Sequence, residues 1–186
     1  GFEWNSFLGD NNFGLTEKDL KWAQYPSDKE IIEAGVRGIY IGNFFKWDAN
    51  LHTPLMQELY GWKPGAIPFQ RTYRKISNVD DMHENGVHDY LKFVKIGYGR
   101  GTDHASKDIR GGKLSRKEGV DLVMQYDSVR PTKDLTRWLD YVDMTENEFN
   151  RIADGFRNPS VWWVENGYWR KHCIDGKERN FEKFSS

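Results

Sequence analysis

The sequence predicts a helix-rich α/β fold with few strands, and three observations carry that prediction. Reciprocal capping patterns, in which a hydroxyl is followed three residues later by a carboxylate, begin at Ser27, Ser115 and Thr145. Apolar residues recur at i, i+3, i+4 and i+7 over Leu135, Trp138, Leu139 and Val142, and again over Phe149, Ile152, Ala153 and Phe156. That spacing lays one apolar stripe along a helix that buries a single face. Strand signals, by contrast, are confined to two short runs.

In chain order, Ser27-Asp-Lys-Glu30 opens the first helix. Gly35 and Gly42 then bound Val36-Arg-Gly-Ile-Tyr-Ile41, a β-branched run expected to form a short buried strand near 36–41. From about 79 to 94 a helix is expected, with Val87, Leu91 and Val94 on one side. Gly97, Gly99 and Gly101 alternate ahead of Thr102, which is placed as the N-cap of a helix running to Arg110. Ser115-Arg-Lys-Glu118 and Thr145-Glu-Asn-Glu148 open two further helices, with the stripe at 135–142 between them. A hairpin is expected over 161–170, because Asn166-Gly167 tolerates the positive φ angles of a tight two-residue turn.

The chain has 186 residues, 15% of them aromatic and 30% charged, with 8 Trp, enough to bury a core and unlike a disordered segment. No apolar run approaches the roughly 20 residues of a membrane helix, and the first residues show no signal-peptide pattern. The single cysteine, Cys173, excludes a disulfide framework and a multi-cysteine zinc site, and a cytoplasmic location fits best. The formal net charge of -1 is unevenly spread. Residues 1–34 and 118–159 are acidic, whereas residues 92–117 carry eight Lys or Arg against Asp103 and Asp108. That basic block is a candidate anion site.

The densest polar stretch, Gly97 to Arg110, lies inside the block. Its three glycines allow close backbone approach to a ligand, and the start of the following helix favours an anion. Asp103, Lys107 and Arg110 share one helical face, His104 and Asp108 form an i, i+4 pair, and Arg100 precedes them. Arg100, Lys107 and Arg110 suit phosphate or carboxylate, and Asp103, His104 and Asp108 suit sugar hydroxyls or proton transfer. The competing reading is a charged surface helix with internal ion pairs. His88 and Asp89 are weaker substrate candidates, as are Lys46, Trp47 and Asp48, which follow the expected strand. His83 and His88 near Asp80, Asp81, Glu84 and Asp89 match no metal-binding motif, and no metal is assigned. Neither nucleotide fingerprint nor a G-x-S-x-G elbow is present, and the near-neutral charge argues against nucleic acid.

Three segments resemble the C-terminal half of the N-acetyl sugar amidotransferases, PP-loop ATP pyrophosphatases of bacterial lipopolysaccharide, O-antigen and flagellin-sugar biosynthesis. They are Tyr40 to Asp48, Val87 to Arg110 and the Trp162-Trp163 stretch. The resemblance spans roughly residues 30–170. It implies a mostly helical region of an adenine-nucleotide α-hydrolase-like enzyme, with 1–75 the tail of the α/β core and 76–186 a helical extension. It further implies ATP with Mg as cofactor, a UDP-linked N-acetyl sugar as substrate, and conversion of its acetamido group to acetamidino. Ammonia would come from glutaminase and cyclase-like partners, and a homo-oligomer is compatible. No membrane contact is expected. The 186 residues contain no S-G-G-x-D-S phosphate loop, so the chain is expected to be the C-terminal portion of a longer enzyme, inactive alone. Alternatives are a helical module that docks the ammonia-supplying partner, and a PP-loop relative acting on RNA.

Overall fold

A computed structural model of the chain describes residues 4–8, 14–76 and 85–185. The chain divides into two units, Gly1–Leu59 and Tyr60–Ser186. In the first unit, α1 (Glu17–Leu20) and α2 (Asp28–Glu33) each begin with a capping box, Thr16 with Asp19 and Ser27 with Glu30. The third helix, α3 (Ala49–Tyr60), starts where the Asp48 side chain accepts the Asn50 amide at 3.0 Å. No described residue of 1–59 is buried, and Trp22 is 95% exposed.

The strand expected near 36–41 does not form. Residues 36–40 carry no regular structure, Ile41–Asn43 make a single 3-10 turn, and Val36, Ile39, Tyr40 and Ile41 are exposed. A strand needs a hydrogen-bonded neighbour, and the described residues contain a sheet only at 163–183.

The second unit holds the core. Five helices follow one another: α4 (Asn85–Ile96), α5 (Arg100–Arg110), α6 (Arg116–Tyr126), α7 (Thr132–Val142) and α8 (Glu146–Gly155). Residues 79–84, the expected first turns of α4, lie outside the described residues. The capping boxes at Ser115 and Thr145 open α6 and α8 as the sequence predicts. Val87, Tyr90 and Val94 of α4 pack with Leu135 of α7 and with Phe149 and Ala153 of α8, whereas Val142, Ile152 and Phe156, expected on the same two stripes, are exposed near or beyond the helix ends. Burial of Val87, Val94, Leu135 and Phe149 contributes about 1.5–3 kcal/mol each.

The hairpin is present as β1 (Trp163–Glu165) and β2 (Tyr168–His172), and β3 (Glu178–Lys183) extends it to a three-stranded antiparallel sheet. Asn166 and Gly167 have φ of 52° and 79°, and the register pairs Glu165 with Tyr168. Phe93 of α4, Trp162 and Phe181 of β3 meet with ring centroids 5.2–5.6 Å apart, joining sheet to helices. The whole is an α-rich α/β fold.

Candidate functional site

The start of α5 is closed by the protein itself. Gly99 is the N-cap, and Thr102, expected in that role, sits within the first turn. The carboxylate of Asp127, at the end of α6, accepts the amide of Gly99 at 2.8 Å, the amide of Thr102 at 2.9 Å and the Thr102 hydroxyl. An anion does occupy this helix terminus, as free amides and the helix dipole favour, but it is an internal aspartate. The glycines admit this contact. A Cβ on Gly101 would lie 2.7 Å from Asp127 Oδ1, one on Gly99 would lie 3.1 Å from it, and one on Gly97 would lie 2.5 Å from Val161 Cγ1. The alternating glycines therefore make room for neighbouring parts of the chain.

The opposite charge enters the same junction. Arg71 is 1% exposed, and its guanidinium donates to the carbonyls of Asp127 and Val129, beyond the last turn of α6. Those carbonyls lie at the negative end of the helix, where a cation is stabilised. Burial pushes the Arg71 pKa down to about 10, which leaves it charged at neutral pH. The rings of Tyr90 and Phe93 lie 5.4 and 5.1 Å from its guanidinium carbon.

Thr72, Tyr73 and Arg74 bring polar groups onto α5. The Thr72 hydroxyl lies 2.6 Å from His104 Nδ1 and accepts the Arg74 amide at 3.3 Å. Burial first, then the positive charges of Arg74, Arg100 and Lys107, lower the His104 pKa to about 4, so the ring is neutral near pH 7. Asp108 accepts from Arg74 Nη2 at 2.6 Å and from the Tyr73 hydroxyl. Burial alone would raise this carboxyl, but the bonds from Arg74 and Tyr73 outweigh it and hold its pKa below the ordinary value.

Two ion pairs bind α4 to α5. Arg100 reaches Asp89 through Nε at 3.0 Å and Nη2 at 2.9 Å, and Lys92 pairs with Asp103. His88 is exposed, with Nδ1 3.0 Å from Asp89 Oδ1. Asp103, His104, Asp108, Arg100 and Asp89 thus come together with partners within the fold. Lys107 and Arg110 are exposed, and Arg110 Nη1 donates to Ser106 at 2.9 Å. Lys46 and Trp47 are exposed in the first unit, where the Trp47 ring meets His52 at 4.7 Å and Asp48 leads into α3. Of the acidic and histidine residues around His88, to which no metal is assigned, Asp80, Asp81, His83 and Glu84 lie outside the described residues.

Two adjoining cavities open beside α5. One, of about 250 Å³, lies between α5 and α6, with Arg110 and Arg116 among its lining. The other, of about 260 Å³, is lined by Phe93, Met124, Lys171 and Cys173, and the two share Thr102, Val123 and Ile174. Asp127, Arg71 and Lys171 escape reading from sequence because none belongs to a motif, whereas Arg116 falls in the basic block and the Ser115 capping pattern. The one signal for Lys171 is its inward register in β2, two residues after Trp169. Residues 69–173 match the protein family described as LPS biosynthesis protein WbpG-like, C-terminal domain. No curated protein matches the chain.

Proposed function

The chain belongs to the WbpG-like C-terminal domain family of lipopolysaccharide biosynthesis proteins, and from that premise we propose that it is the sugar-handling part of an ATP-dependent N-acetyl sugar amidotransferase. The family match over more than half of the chain carries this reading. It covers α5, both cavities' helical walls and the 71–74 segment that fixes His104 and Asp108. The reaction in this reading turns the acetamido group of a UDP-linked sugar into an acetamidino group with ammonia. ATP and Mg belong to an S-G-G-x-D-S loop that these 186 residues lack, so no step is assigned to nucleotide activation here.

The residues present serve substrate binding. Arg110 and Arg116, in the lining of the cavity between α5 and α6, suit the diphosphate of a nucleotide sugar, since guanidinium groups bind phosphate oxygens in pairs. His104, Asp108 and Asp103 hold α5 in place from within, and Arg100 is oriented by Asp89. The test supplies the protein, together with a polypeptide that carries an S-G-G-x-D-S loop, with ATP, ammonium and a UDP-diacetamido sugar. AMP release that requires the sugar is expected. The double change Arg110→Ala and Arg116→Ala is expected to raise KM for the sugar roughly tenfold or more with kcat little altered, the loss typical of charge-assisted contacts. AMP release indifferent to the sugar overturns the reading.

One observation favours a docking role for the first unit: Trp22, Tyr25 and Trp47 are at least 79% exposed. In that reading the segment 1–59 contacts the ammonia-supplying partner. Co-elution with a glutaminase subunit that is lost when these three aromatics become Ala supports it, and unchanged co-elution removes it.

A further inference from the structure

Lys171 is the inward-facing residue of β2 between Arg170 and His172, and it is 9% exposed. Its ammonium donates to the His172 carbonyl at 2.8 Å, and among the described residues no carboxylate lies within ion-pair reach of it. The rings of Phe93, Trp162 and Phe181 stand around it with centroids 5.8–6.0 Å from Nζ. Gly97 gives its stem space, because a Cβ there would come within 3.2 Å of Lys171 Cε. A Leu or Met at this position would fill the same volume without removing a charge from water, which is costly for an ammonium that has no counter-charge.

Lys171 is among the residues that line the cavity of about 260 Å³. The other charges on that cavity are already matched. Asp127 accepts three hydrogen bonds from the first turn of α5, and Arg179 is held by Asp175 through bonds of 2.6 and 2.8 Å. Lys171 has one hydrogen bond, to the His172 carbonyl, and no ion-pair partner among the described residues. Phe93, Val123 and Met124 supply an apolar wall. Burial lowers the Lys171 pKa, and the more distant pull of Cys173, Asp127 and Asp175 only partly opposes it.

We propose that this cavity binds a small organic anion, with a phosphate or carboxylate seated on Lys171 and a flat apolar body of about one ring against Phe93, Val123 and Met124. The site adjoins the Arg110–Arg116 cavity, with which it shares Thr102, Val123 and Ile174, but its argument does not depend on the sugar-handling reading.

Cys173 lines the same cavity and is the chain's sole cysteine, so its alkylation reports occupancy. The purified chain is treated with N-ethylmaleimide in the presence of phenyl phosphate, phenylacetate, inorganic phosphate or phenol. Phenyl phosphate or phenylacetate is expected to slow alkylation at least tenfold at saturation, and the stronger of the two identifies the preferred anionic group. Phenol and inorganic phosphate, each with half of the required chemistry, are expected to protect at least tenfold less well at equal concentration. Lys171→Met is expected to keep an equal or higher melting temperature and to weaken protection tenfold or more, and Lys171→Gln provides the same comparison should the Met variant not fold. Protection that survives loss of the ammonium, phenol protecting as well as phenyl phosphate, or no protection by either organic anion overturns the proposal. A lysine that serves only as packing leaves the anions without effect.

Discussion

His104 has its ring enclosed by Thr72 and Tyr73, with Arg74, Arg100 and Lys107 near enough to oppose a proton. Its folded pKa of about 4 lies below the ordinary value of 6.5. The folded state therefore binds fewer protons than the unfolded chain between those values, and stability rises with pH across the window. The contribution is complete above about pH 6.5 and is lost as pH falls toward 4, up to roughly 3 kcal/mol. Thermal melts of the chain from pH 7 to 4 are expected to show this loss, and His104→Gln is expected to flatten the slope. An unchanged slope in the variant shows that other groups carry it. The sequence exposes the i, i+4 relation of His104 and Asp108 because both sit on one helix. It conceals their partners, Thr72 and Arg74, which come from over thirty residues upstream in a segment without periodicity.

Elements whose cause is local were legible, and those whose cause is remote were not. The boxes at Ser27, Ser115 and Thr145 need only four consecutive residues, and all three close as read. The Asn166-Gly167 turn is similarly self-contained. The run at 36–41 has strand composition, yet composition specifies no neighbour to pair with, and it stays exposed. The glycines of α5 and α6 show how magnitude decides between two outcomes. At Gly101 a Cβ would press on Asp127 Oδ1 at 2.7 Å, a carboxylate pinned by three hydrogen bonds. At Gly119 it would meet Ile109 Cδ1 at 2.6 Å, the free end of a side chain. Gly101→Ala is expected to destabilise by about 1–3 kcal/mol, since displacing the cap exceeds the helix-propensity gain of about 1 kcal/mol. Gly119→Ala is expected to stay within about 1 kcal/mol of the parent, because the same gain offsets a rotation of Ile109. Urea unfolding of the two variants compares them directly, and equal losses contradict the assigned role of Asp127.

At the scale of the molecule, the buried residues all belong to one unit. Every core side chain from Val87 to Trp162 lies in 60–186, whereas no described residue of 1–59 is buried. Residues 60–186 produced alone are therefore expected to melt in a single cooperative transition by circular dichroism. A broad, non-cooperative melt shows that the core needs the first fifty-nine residues. The charge pattern carries to this scale in altered form. Within the basic block at 92–117, Arg100 and Lys92 are neutralised across α4 and α5, whereas Arg110 and Arg116 line a cavity.

The carboxylate that closes α5 also sets a clock. Amides in the first turn of a helix ordinarily exchange their hydrogens with solvent quickly, having no acceptor in the helix itself. Those of Gly99 and Thr102 are bonded to Asp127, which lies more than twenty residues further along the chain. Their exchange has to wait until α5 and the end of α6 separate, so these two amides time the opening of that helix pair.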